Sequence, residues 1–303
     1  MDFNIIYIIR TTKTMNRKIL FILMILSSVM PLSAKQLTVQ TPHLSLVLQA
    51  DEGSQPTYVY FGSRLAPAML QSLPNPSGGN MNAYPAYGMD WPSPSALSIC
   101  HADGNMSTQL VVEGSDQQGD VTTIHLKDPV YPIKVDLKYH AYNDVDMIET
   151  WTEITNNEKG TVTLLNFASG VLPIRRGNVW VSHLHGCWGN EARLVQEPLK
   201  PGQLLITNHD GVRNSQTDHA EVMFSLDGQP KENAGDVIGA ALCYSGNYRL
   251  NIVTDNSDYH YFFAGIDAEN SAYHLRKGQV FTTPKLALTY SKEGLSGVSR
   301  NFH

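Results

Sequence analysis

The chain has 303 residues, 42% of them hydrophobic and 17% charged, which is enough apolar material for one large or two medium domains with a sizeable core. Its 22 lysines and arginines stand against 28 aspartates and glutamates, a formal net charge of −6. That mildly acidic balance argues against nucleic acid and anionic membrane as partners.

In chain order, the first segment reads as a leader. Asn16-Arg17-Lys18 is a positive start, Ile19 to Leu26 is an unbroken apolar run, and Pro31-Leu32-Ser33-Ala34 offers small residues for cleavage ahead of Lys35. The run is too short and too lopsided in its flanks for a membrane span. Residues 1–34 are therefore expected to be a signal peptide, with 1–14 an upstream mis-start before Met15. The mature protein is expected to be periplasmic or extracellular, and free of the membrane once the leader is cleaved.

From Leu37 onward the dominant period is two. Leu44, Leu46 and Leu48 alternate with smaller residues, and Ile133, Val135, Leu137 and Tyr139 alternate with Lys134, Asp136 and Lys138. Tyr248, Leu250 and Ile252, then Leu286, Leu288 and Tyr290, repeat the pattern of strands with one wet face. Turn clusters separate them: Asp51-Glu52-Gly53-Ser54, Asp103-Gly104-Asn105, Asn156 to Gly160, Asp227-Gly228 and Ser245-Gly246-Asn247. Strands that recur after short turns, with no helical pattern between them, predict an all-β fold, a large antiparallel sandwich over residues 35–290. Trp151, inside the strand Met147 to Ile154, is expected to seal that sandwich.

Two segments depart from the alternation. Residues 66–95, rich in Pro, Asn, Gly and Ser, end in Tyr84-Pro85-Ala86-Tyr87-Gly88-Met89-Asp90-Trp91, which predicts an ordered, contact-making loop. At the C-terminus, Ser291 is a candidate N-cap, and Leu295, Val298 and Phe302 fall on one helical face. Residues 291–303 therefore read as a truncated linker helix whose apolar stripe lacks a partner and favours self-association. Cys100, Cys187 and Cys243 match no disulfide framework or zinc spacing and are expected to be buried small hydrophobes.

Several polar groups invite chemistry. His183-Leu184-His185 places two imidazoles on one side of a strand, but no third ligand lies nearby except Glu191, so no metal site is expected, and no cofactor. His209-Asp210, Asp218-His219 and Glu221 read as polar turn residues rather than an acid–base pair. The aromatics are more telling. Tyr84, Tyr87, Trp91, Trp180 and Trp188 sit beside glycines, prolines and single charges, the mixture of apolar walls and placed polar groups that sugar sites use.

These residues carry a family resemblance. Tyr58 to Leu65 resembles the aromatic-Gly-basic turn near the start of glycoside hydrolase family 36 enzymes. Tyr84-Pro85-Ala86-Tyr87-Gly88 with Asp90-Trp91 is similar to their Tyr-Pro-x-aromatic-Gly-x-x-Asp-aromatic segment, one residue shorter. His183 to Glu191 is similar to their His-Leu-Pro-Gly-x-Trp-Gly-x-Glu stretch, with His185 at the proline position. Tyr244-Ser245-Gly246-Asn247-Tyr248 matches their Tyr-Ser-Gly-Asn-aromatic turn, and Thr283 to His303 resembles the exit from their first domain. The five segments occur in family order.

The resemblance implies a β-supersandwich ahead of a (β/α)8 barrel that supplies two catalytic carboxylates, in Lys-Trp-Asp and Ser-Asp-x-x-Asp contexts. Neither motif occurs in this sequence. A retaining glycosidase needs both carboxyls roughly 5 Å apart, so the chain alone is expected to be inactive, with no catalytic residue. The resemblance further implies a non-catalytic N-terminal domain of an exported α-galactosidase, acting in oligomer assembly and at the active-site rim. Its partners would be α-galactosides and a barrel on the same or a separate chain. Carried over residue by residue, the rim or carbohydrate-binding positions are Arg64, Tyr87, Asp90, Trp91, His183, Trp188 and Glu191. The loop 66–83 is shorter than in the family and lacks its Asp and Arg, and Pro92 stands where members place Arg. Two other readings remain: a free-standing sugar-binding module using Trp91 and Trp188, and a mutarotase-like enzyme pairing His183 or His209 with Glu191 or Glu221.

Overall fold

The computed structural model describes residues 35–74, 81–89, 94–174, 177–213 and 217–303. The proposed leader, together with Asp90 and Trp91, lies outside the described residues. Residues 35–303 form one compact unit.

The chain opens with β1 (Gln36–Gln40), β2 (Leu44–Gln49) and β3 (Thr57–Ser63), followed by the short helix α1 (Pro67–Gln71). Next come β4 (Leu97–Cys100), β5 (Val111–Gln118), β6 (Val121–Lys127), β7 (Ile133–Ala141), β8 (Met147–Asn156) and the long β9 (Val162–Ile174). The hairpin β10 (Trp180–Cys187) and β11 (Asn190–Pro198) leads into β12 (Gly202–Asn208), β13 (Asp218–Ser225) and β14 (Val237–Cys243). The chain closes with β15 (Tyr248–Thr254), β16 (His260–Ile266), β17 (Tyr273–Leu275), β18 (Val280–Thr282), β19 (Lys285–Ser291) and α2 (Gly294–Phe302).

Among the described residues these strands make three antiparallel sheets. The largest runs β11-β10-β13-β14-β19-β8-β7-β6-β5, with β18 also on β8. A second runs β12-β15-β16-β9-β17, with β4 on β9, and β1-β2-β3 form the third. The predicted antiparallel sandwich is therefore the observed fold. Its two main sheets meet through side chains such as Phe224 of β13 and Phe262 of β16, whose rings pack edge to face at 5.3 Å. Phe167 of β9 and Phe281 of β18 do the same at 4.8 Å.

The alternation in β7 is realised as predicted: Ile133, Val135, Leu137 and Tyr139 are buried, with Lys134 exposed and Asp136 and Lys138 half-buried between them. In β2 it is not. Ser45 and Val47 are as buried as the leucines, because β2 is the middle strand of its sheet and is covered on both faces. Ser45 survives there because its hydroxyl accepts hydrogen bonds from Gln40 Nε2 (2.7 Å) and the Leu65 amide (2.9 Å). Trp151 also differs. It is only half-buried on β8, donates to Glu153 (3.3 Å) and lies under the Lys285 ammonium, 5.2 Å from the ring centre.

The C-terminal stripe requires a correction. Leu295 and Val298 are buried against Val237, with Met223 and Phe302 beside them, so the chain's own sheet partners the helix. Gly239 of β14 makes this possible, since a Cβ there would run into Val298 and come within 2.8 Å of Phe302. The self-association expected of an open stripe therefore loses its basis. Glu293, not Ser291, precedes the first helical residue, and the Ser291 hydroxyl accepts the Glu293 amide (3.0 Å). No helix among the described residues is long and apolar enough to cross a membrane.

Candidate functional site

Three of the expected rim residues share the hairpin β10–β11. Its register runs from Trp180 opposite Pro198 to His185 opposite Arg193, then shifts before Cys187 opposite Asn190. The shift falls at Gly186, where a Cβ would sit 2.7 Å from the Glu191 Cα, so only glycine lets the two arms close. Ala192 takes a left-handed backbone (φ 53°) just after the turn, a conformation that costs about 1 kcal/mol outside glycine. The Glu191 carboxylate accepts the Gly189 amide (2.9 Å) and so braces the tip. Trp188 stands on that tip with 85% of its surface exposed. The indole is displayed.

His183 lies lower on the same strand and is nine-tenths buried, with Nε2 3.9 Å from Glu197. Burial lowers its pKa below the ordinary histidine value, although Asp218 and Glu197 pull the other way, so the imidazole is neutral near pH 7. His185 pairs with a different carboxylate, Asp218, at 2.9 Å. The two histidines thus serve separate partners. A cavity of about 520 Å³ opens beside them, walled by Leu184, Leu194, Met223 and Phe302, with His183 and Glu221 also in its lining.

Arg64 is elsewhere. At the end of β3 it donates to the Thr41 carbonyl and lines a cavity of about 490 Å³ with His43, Asp146, Tyr290 and Arg300. Asp146 accepts from the Thr41 hydroxyl and the His43 amide, both at 2.8 Å, and contacts the His43 ring at 2.7 Å. Burial alone would raise the pKa of that carboxyl, but the contacts with His43 and Thr41 outweigh it and hold the value below the usual range. Tyr87 is on a third element, the loop before β4. Its amide donates to Leu97 O and its carbonyl accepts from Thr108 (2.8 Å each), which leaves a pinned backbone in a residue 55% exposed. The structure therefore gathers His183, Trp188 and Glu191 on one hairpin, while Arg64 and Tyr87 occupy two other places.

The acid–base pairs weighed for a mutarotase-like site form no ion pair with one another, although His183 and Glu221 line the same cavity. Among the ion pairs of the described residues, His183 meets Glu197, His209 meets Asp267 (3.4 Å) and Glu221 meets His219 (3.4 Å). The cysteine expectation also fails. All three thiols are unpaired, Cys100 is half-buried, and Cys187 and Cys243 are exposed because each ends its strand where the chain leaves the sheet.

One group escaped sequence reasoning. His209, Asp267 and Glu269 place ligand-type atoms within 4.8 Å of one another, although 58 positions separate His209 from Asp267 (267 − 209). Arg249 joins them, with Nη2 3.0 Å from Asp267 and 3.2 Å from Glu269. The one usable signal was register. The hairpin β15–β16 sets Arg249 opposite Gly265, two residues before Asp267.

The glycosyl hydrolase family 36 N-terminal domain model matches residues 54–276. The bifunctional alpha-galactosidase/sucrose kinase AgaSK of Mediterraneibacter gnavus is 24% identical over 305 residues, which take in 89% of this chain and 32% of that protein. Alpha-galactosidase AgaA of Geobacillus stearothermophilus is 24% identical over 306 residues, with 89% of this chain and 42% of that protein covered. In structure, the galactosidase domain of AgaSK superposes with a TM-score of 0.81 at 24% identity, covering 89% of this chain and 42% of that one. The crystal structure of AgaA itself gives 0.79 at 23% identity, with 89% and 42% covered. The chain thus spans about a third to two-fifths of these relatives' length. With a match over most of its length and a shared sandwich fold, the chain belongs to glycosyl hydrolase family 36, in which it corresponds to the N-terminal domain.

Proposed function

We propose that this chain is the non-catalytic N-terminal domain of an exported α-galactosidase, one that helps to hydrolyse terminal α-galactosides by building the enzyme's assembly and the rim of its active site. The observation that carries the reading is the family match over residues 54–276 in a chain that spans only about a third of relatives such as AgaSK. The cavities support it. Their carboxylates Asp146, Glu293 and Glu221 each sit against a histidine or an arginine, an arrangement suited to structure rather than to a facing nucleophile and acid. Arg64, Tyr87, Asp90, Trp91, His183, Trp188 and Glu191 are the rim positions in this proposal. Its catalytic partner is a (β/α)8 barrel, on the same or a separate chain, within a homo-oligomer.

The test is direct. The purified chain incubated with a chromogenic α-galactoside should give no turnover above buffer, and turnover at the rate of an intact family enzyme would refute the proposal. The exposure of Trp188 favours a second reading, a sugar-binding module that stacks a pyranose ring on the indole. Calorimetry with galactose, melibiose and raffinose separates the two: binding by the isolated chain that is lost in Trp188→Ala supports the module.

A further inference from the structure

The group of His209, Asp267 and Glu269 lies on the loops that follow β12 and β16. Asp267 is the anchor. Its side chain is 1% exposed, and its Oδ1 accepts from the Glu269 amide (2.9 Å) and faces Arg249. Its Oδ2 is buried without a hydrogen-bond partner. A buried carboxylate oxygen left bare is costly, and proteins seldom leave one so. His209 Nε2 stands 3.4 Å from it, too far for a normal N–H···O bond. It is close to the spacing of roughly 3.3 Å between two donors of a tetrahedral zinc ion bonded at about 2.0–2.1 Å. Glu269 completes the set within 4.8 Å.

We infer that His209, Asp267 and Glu269 form a binding site for a divalent transition cation of the zinc class. One imidazole and two carboxylates form a three-ligand set that leaves a fourth position to water, and the imidazole selects against calcium and magnesium, which prefer oxygen alone. Charge permits it. Two carboxylates against the single guanidinium of Arg249 leave a net negative site, and Arg249 reaches Asp267 through Oδ1, not through the bare Oδ2. The competing reading, that Arg249 and His209 are the whole counter-charge, leaves that oxygen without a hydrogen bond. A bound ion would clasp the loop after β12 to the loop after β16, two segments already joined through Asn247, which accepts the Gly211 and Asp267 amides.

The test is Zn²⁺ titration by calorimetry into the full chain carrying Cys187→Ser and Cys243→Ser, so that exposed thiols do not compete. The expected result is one equivalent bound, weakened at least tenfold by His209→Ala and by Glu269→Gln. Both side chains are half-exposed or more, so neither change should disturb folding. Co²⁺ should give visible absorption that His209→Ala abolishes, and Zn²⁺ should raise the melting temperature of the parent but not of either variant. No binding, binding indifferent to both substitutions, or preference for Ca²⁺ over Zn²⁺ would overturn the assignment.

Discussion

The hairpins β7–β8 and β10–β11 belong to the same sheet and use the same antiparallel pairing, yet they spend their side chains differently. In β7, Ile133, Val135, Leu137 and Tyr139 all enter the core, and β8 is paired with β19 and β18 on its other edge. In β11 all but two of the nine residues are exposed, and the strand is the outer edge of the sheet. A sheet centre is held by burial, whereas its edge is held by one ladder of hydrogen bonds and a braced turn. The edge is therefore free to leave large side chains exposed, and Trp188 is the clearest of them.

The sharpest way to break this contrast is to truncate one side chain from each region. Phe224→Ala, which removes the edge-to-face contact with Phe262, should lower unfolding free energy by about 3–5 kcal/mol. Trp188→Ala should change it by no more than about 0.5 kcal/mol. Urea denaturation measures both, and equal losses would show that the hairpin is structural after all. A smaller effect is expected where α2 rests on β14. Gly239→Ala should cost about 1–3 kcal/mol by overpacking Val298 and Phe302, and partial proteolysis should then release the C-terminal helix first.

The smallest effects concern pH. His125, on β6, bridges Asp116 and Asp136 at 2.7 Å each. Burial opposes its charge, but the two carboxylates win and raise its pKa above the ordinary value. Its folded pKa exceeds the unfolded one, so its contribution is complete below about pH 6.5 and fades as pH rises through the folded value. Asp146 works in the opposite sense: its depressed pKa stabilises fully above about pH 3.9 and is lost as acid carries the pH through the folded value. Denaturation midpoints measured across pH 3–8 should soften their alkaline slope in Asp116→Asn, where Asp136 still holds His125, and soften their acid slope in His43→Ala. Profiles identical to that of the parent would show that neither pair matters.

The sandwich was legible because its strands alternate, and Ile133 to Tyr139 announce a face without help from neighbours. What escaped depends on contacts between distant segments. Nothing local to Leu44 to Leu48 says that β2 will be covered on both sides, and nothing local to Leu295 says that a glycine in β14 will receive the helix. The residues expected at the rim stand out in the sequence as types, aromatics among glycines and single charges, but the sequence does not place them in space. Arg64 and the hairpin line different cavities, a separation that only the fold reveals. Asp267 and His209 met for the same reason, across strands whose register the sequence does not print.

Cys187 has one further consequence. An unpaired, exposed sulfur directly before the displayed indole is a native attachment point for a reporter dye beside that ring. A fluorophore joined there, with Cys243 replaced, would be quenched by Trp188 until something covers the ring. The hairpin's encounters could then be timed in solution without adding a residue to the chain.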